Sequence, residues 1–132
     1  MMKTLAISAA ALAVAVSGPV AAQDREERSE QAFIELTEGR TAGEAQTCIN
    51  TFNSSRLRVE ENVGLVYERG ETLWVARAKN PQNLSTWDIP VIERYSSRLC
   101  RHDVTRTIDR SSGMFSGVLF LEDFVPYTRA EG

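Results

Sequence analysis

The chain has 132 residues, with 15 Lys and Arg against 18 Asp and Glu and a formal net charge of −3. That length suits one domain with a modest core and is too short for two. The acidic balance excludes charge-driven binding to nucleic acid and gives no electrostatic grip on an anionic membrane.

Lys3 is the only charge before Asp24, and an apolar run from Leu5 to Val16 follows it, ending at Ser17-Gly18-Pro19. At ~1.5 Å per residue this run reaches only 18 Å or so, short of the ~30 Å hydrocarbon core, so it is no membrane anchor. A charged start, a short apolar stretch, a helix-breaking exit and the small residues Val20-Ala21-Ala22 together read as a secretory signal peptide over residues 1–22. Cleavage is expected between Ala22 and Gln23, with no cysteine there for a lipid anchor. The loss of Lys3 takes the net charge from −3 to −4. The expected location is periplasmic or secreted, in a bacterium. No transmembrane segment is expected after cleavage.

The two cysteines are Cys48 and Cys100. An even count in an exported domain reads as a disulfide, because the compartment is oxidising. Closing a loop of roughly 50 residues is worth about 4 kcal/mol in the chain-entropy picture. With no Cys-x-x-Cys and a single histidine, neither a redox centre nor a metal set is completed, and no cofactor is expected.

Within the mature chain, residues 23–44 read as a short helix and connector and residues 45–132 as a single small β domain. The helix is expected over about Ser29–Glu38, with Ser29 as N-cap and Gly39 as stop, behind a solvated lead-in from Asp24 to Arg28. Arg56-Leu57-Arg58-Val59-Glu60 alternates with period two, placing Leu57 and Val59 on one face. Asn62-Val63-Gly64 supplies turn chemistry before a second strand, Leu65–Arg69. Gly70-Glu71 fits a two-residue hairpin into a third strand, Thr72–Arg77. Val91–Tyr95 is a fourth strand, and Pro90 beside it argues for a sheet edge or a strand-entry position. Ser96–Cys100 reads as a turn or short helical loop and Val104–Ile108 as a strand. Met114–Leu121, apolar on both faces, reads as a strand buried on both sides. The fold expected is mainly β: a small antiparallel curled sheet or barrel of about six strands with one short N-terminal helix.

His102-Asp103 is the one histidine–carboxylate adjacency and the weak candidate for catalysis, as a general base with a carboxylate or a nearby serine. Neighbours in a strand face opposite ways, which argues against direct pairing. A surface histidine beside a disulfide is the ordinary alternative. Arg106 shares a strand face with Val104 and Ile108, and Arg77 one with Leu73 and Val75. An arginine so placed pairs with a buried carboxylate, the ordinary answer, or lines an anion pocket. Trp87 and Tyr127 lie near loops, where partial exposure would offer a contact surface.

Cys48, Leu99-Cys100-Arg101-His102-Asp103-Val104 and the closing Leu121-Glu122-Asp123-Phe124 carry one further signal. Over about residues 45–127 the chain resembles an uncharacterised family of small exported proteobacterial proteins. A cysteine, a β meander, a Leu-Cys-x-x-Asp-hydrophobic motif and a closing Leu-Gly-x-Phe mark that family. Its members often carry two further cysteines, absent here, and Glu122 stands where the closing glycine would be. Losing that pair together while keeping Cys48 and Cys100 fits pairwise bonding. The resemblance implies no activity.

The function expected is therefore a non-catalytic envelope module binding a protein, glycan or lipid ligand on its β surface. A small periplasmic enzyme using His102 and a structural or stress-related envelope protein are the alternatives. Partner identity and oligomeric state are left open.

Overall fold

The computed structural model describes residues 20–52, 56–93 and 96–129. Helix α1 (Val20–Thr37) is followed by ten strands: β1 (Arg40–Ala42), β2 (Cys48–Asn50), β3 (Leu57–Glu60), β4 (Gly64–Arg69), β5 (Thr72–Ala78), β6 (Asp88–Glu93), β7 (Arg98–Cys100), β8 (Val104–Asp109), β9 (Phe115–Leu119) and β10 (Leu121–Arg129). The strands form three antiparallel sheets, ordered β1-β10-β5-β4-β3, β2-β7 and β6-β8-β9. The fold is mainly β, as expected, but the described strands do not close into a barrel.

The five-stranded sheet is the middle of three layers. On one side Val63, Val66, Leu73 and Val75 pack under Ala32, Phe33 and Leu36 of α1, together with Tyr127. On the other, Leu65, Tyr67, Ala76 and Phe124 meet Ile49 and Leu99 from the β2-β7 pair and Leu119 and Ile92 from the three-stranded sheet. Covered on both faces, β4 is buried from Gly64 through Tyr67. The meander β3-β4-β5 follows its alternation, with Arg69 opposite Thr72 across the Gly70-Glu71 hairpin. Edge strand β6 accommodates Pro90, opposite Thr107.

Several expectations are corrected. The helix does not start at Ser29. It extends back through the charged lead-in to Val20, on either side of the expected cut at Ala22–Gln23; residues 1–19 of the export segment lie outside the described residues. Good helix formers such as Glu26, Glu27 and Arg28 sustain it. Ser29 caps nothing: it is buried and donates its hydroxyl to the Asn62 carbonyl at 2.8 Å, tying the helix to the β3-β4 turn. Gly39, with φ 72°, does stop the helix. The expected connector contains β1, which pairs with β10. Arg98–Cys100, expected within a turn or short helical loop, is a strand opposite Cys48–Asn50. In the Val91–Tyr95 strand, pairing begins earlier, at Asp88; Arg94 and Tyr95 fall outside the described residues.

Met114–Leu121 is not one doubly buried strand. It is the end of one strand and the start of another, and Met114, Phe115, Val118 and Phe120 are all exposed while Leu119 and Leu121 are buried.

Asp109 closes the β8-β9 hairpin by accepting the N–H groups of Ser111 and Ser112, each at 2.9 Å, and the Ser111 hydroxyl. The Ser111 hydroxyl bond, ahead of the Ser112 N–H, holds this carboxyl below its ordinary value of 3.8. A lowered folded value means the turn's contribution is complete above the ordinary value and lost as pH falls through the folded one. Amide protection at Ser111 and Ser112 is therefore expected to decline on acidification below about pH 4. Asp109→Ala should remove that protection at neutral pH, which hydrogen exchange would read.

Candidate ligand-binding surfaces

The Cys48–Cys100 disulfide is formed between residues directly opposite in β2 and β7, with Cα atoms 4.0 Å apart. Around it, the motif residues that carried the family resemblance have structural work. Leu99 is fully buried, and the Asp103 carboxylate accepts the Cys100 N–H at 2.8 Å while the Asp103 N–H bonds back to the Cys100 carbonyl. Leu121 and Phe124 fill the core on either side of a break in the β10 register.

This geometry separates His102 from Asp103. His102 is exposed, and its Nε2 accepts the Arg101 Nε–H at 3.3 Å, while Asp103 is turned toward the Cys100 backbone. The structure places neither a serine hydroxyl nor a carboxylate against the ring among the described hydrogen bonds.

Arg77 finds the carboxylate partner expected of it, though at the surface rather than in the interior. Its Nη2 lies 3.0 Å from Glu30 Oε2 on α1, and its guanidinium stacks 4.2 Å from the Phe33 ring centroid. The Phe33 ring in turn meets Tyr127 edge-on at 5.8 Å. Burial pushes the Tyr127 hydroxyl's pKa up, opposed by the Arg77 charge. Tyr127 is thus a packing residue between sheet and helix. Beside Arg77, a polar cleft of about 520 Å³ opens between α1 and the loop after β5, lined by Arg25, Glu26, Glu30, Lys79 and Asn80 as well. The bond to Glu30 already engages the Arg77 guanidinium, so the cleft's cations are largely balanced by its own acids.

Arg106 corrects the sequence reading most. The alternation along β8 is right but its sense is reversed: Thr105 and Thr107 point inward and are buried, while Val104 and Arg106 face out. The threonines can turn inward because their hydroxyls are satisfied there. Thr105 donates to the Asp103 carbonyl at 3.4 Å; Thr107 lies 2.8 Å from the Ser116 hydroxyl, which donates to buried Asp88. Their methyl groups fill the core as valine would. Arg106 meets its acid on the outside, pairing with Glu93 of β6.

The register then defines an outer face that sequence reasoning missed. Ile89, Val91 and Glu93 of β6 lie opposite Ile108, Arg106 and Val104 of β8, and Arg106 and Ile108 lie opposite Val118 and Phe115 of β9. Six of these eight positions are apolar. An antiparallel sheet with one covered face ordinarily turns polar residues outward. Trp87 is 62% exposed just before β6, where its carbonyl accepts the Arg110 N–H, and the exposed Met114 and Phe120 flank the two ends of β9. Seven of the nine large hydrophobic residues exposed among those described therefore belong to this sheet and its margins. The signal was in the sequence, as the apolar residues on both faces of 114–121, but it reads equally as burial.

Comparison with protein-family models, with curated proteins and with solved structures finds no match to this chain. Among the described residues no helix is long and apolar enough to cross a membrane, and no three metal-ligating side chains are grouped.

Proposed function

We propose that this is an exported envelope module that works by binding, with the outer face of the β6-β8-β9 sheet as its working surface. One observation carries the reading: the concentration of exposed apolar side chains on that single face. Contiguous apolar patches beyond a few hundred Å² are uncommon on monomers and commonly mark interaction sites. The expected export segment and the Cys48–Cys100 bond support an oxidising location outside the cytoplasm, and the motif residues support kinship with the small exported proteobacterial family. Among the described residues, the strand-borne charges of this face are Glu93 and Arg106, a pattern that suits a protein surface better than a glycan, which needs converging hydrogen-bond groups.

Val91→Glu with Val118→Glu, both at exposed positions, should abolish retention of envelope components on the immobilised protein while leaving its melting temperature within a few degrees. Arg77→Ala, in the polar cleft, should leave retention intact. Retention indifferent to the double change would overturn the reading. Retention lost only in the Arg77 variant would move the site to the cleft.

A further inference from the structure

We infer that the occupant of the outer sheet face is a second copy of this chain, packed face to face about a two-fold axis. The inference rests on the reading of that face as the working surface, and it names the partner. The architecture itself suggests it. The β6-β8-β9 sheet has its inner face on the core and an outer face of Val91, Val104, Ile108, Phe115 and Val118, so it resembles one half of a sandwich without its second layer.

The area is of the right size. Taking ~150–250 Å² for each aromatic side chain and less for valine and methionine, the exposed fractions of Trp87, Val91, Val104, Met114, Phe115, Val118 and Phe120 amount to an apolar surface on the order of 600 Å². A standard stable interface buries about 800 Å² per partner, so two copies would cover one another almost completely.

The charges fit a self-complementary contact. Glu93 and Arg106 are already paired on the face, so closing two copies together desolvates a neutral couple rather than a lone ion, and the same couple returns across the axis to offer further hydrogen bonds. A bilayer would strip this pair of water and offer its hydrocarbon nothing in return, and the acidic chain has no attraction to an anionic leaflet. The β6 edge is a poor alternative contact, because Pro90 has no N–H to donate to an added strand.

The test is sedimentation velocity on the protein as secreted by a bacterial host, its N-terminus read by mass spectrometry, over a concentration series up to about 100 μM. A mass twice that of the protomer is expected at the upper end. Phe115→Glu and Val118→Glu should each weaken the dimer about tenfold or more with circular dichroism unchanged. Ile34→Glu, at an exposed position on α1, should not. A protomer mass throughout, or a dimer indifferent to both face variants, overturns the inference. If the protein is monomeric but the double face variant still loses its envelope components, the second copy is wrong and the binding face stands. If neither dimerisation nor retention responds, both fall.

Discussion

Replacing Cys48 and Cys100 together with alanine is expected to lower the melting temperature by about 15–30 °C. The bond closes a long loop, with a sequence separation of 52, and the chain-entropy term for such a loop is about 4 kcal/mol. Total stability for a domain of this size is on the order of 5–15 kcal/mol, so the change removes a large part of it. The structure adds a local reason. β2 and β7 are three residues each and, among the described residues, form a ladder only with one another, and an isolated two-stranded ribbon is marginal in water. What fixes it is the crosslink at its end and the burial of Ile49 and Leu99. Loss should thus begin there: the Arg101 and Thr51 amides, bonded to Thr47 and Ser97, should lose exchange protection before the β4-β5 ladder does. The dependence of stability on urea should steepen, since the freed chain exposes more surface. A melting temperature that shifts by less than about 3 °C in the double variant would show that packing alone holds the ribbon.

The same contrast between local and long-range information explains what the sequence could reveal. The meander was readable because alternation at Leu57 and Val59 and the Gly70-Glu71 turn are local signals, and the disulfide because export and an even cysteine count constrain it. β1, β2 and β7 were not, because three residues carry no period. β10 was hidden by Glu122, Asp123 and Pro126, which interrupt its apolar pattern, although Leu121 and Phe124 are among the best-buried residues. The sense of β8 was the harder problem. Period two divides Val104, Arg106 and Ile108 from Thr105 and Thr107, but which set is inside depends on where the next layer lies and on whether hydroxyl partners such as Ser116 and the Asp103 carbonyl are at hand. One strand's sequence contains neither. Taking the aliphatic set as core reverses the face and, with it, hides the exposed apolar side chains of the β6-β8-β9 sheet.

Gly64→Ala is expected to destabilise the protein by about 3 kcal/mol or more, against roughly 1 kcal/mol for Gly39→Ala. Both positions carry a positive φ, 157° and 72°, but only one is also crowded. A Cβ at Gly39 would meet nothing within 4 Å, so alanine there bears only the cost of the left-handed conformation. A Cβ at Gly64 would lie 2.2 Å from the Ala76 carbonyl oxygen and 2.6 Å from the Ala78 nitrogen. Those are backbone atoms of the neighbouring strand, and the Ala78 N–H is engaged there with the Val63 carbonyl at 2.9 Å. Unlike a side-chain tip, they cannot swing aside. Relief requires β5 to shift away from β4, which opens both core layers at once, because Val66 and Val75 face the helix while Leu65 and Ala76 face the other side. The turn chemistry that made this glycine conspicuous belongs to its neighbour Asn62, which takes the left-handed conformation at φ 61°. Asn62→Ala should accordingly cost only about 1 kcal/mol. Urea titrations of the three variants would order them Gly64 far ahead of Gly39 and Asn62, and near-equal midpoints would mean that close strand approach is not what position 64 provides.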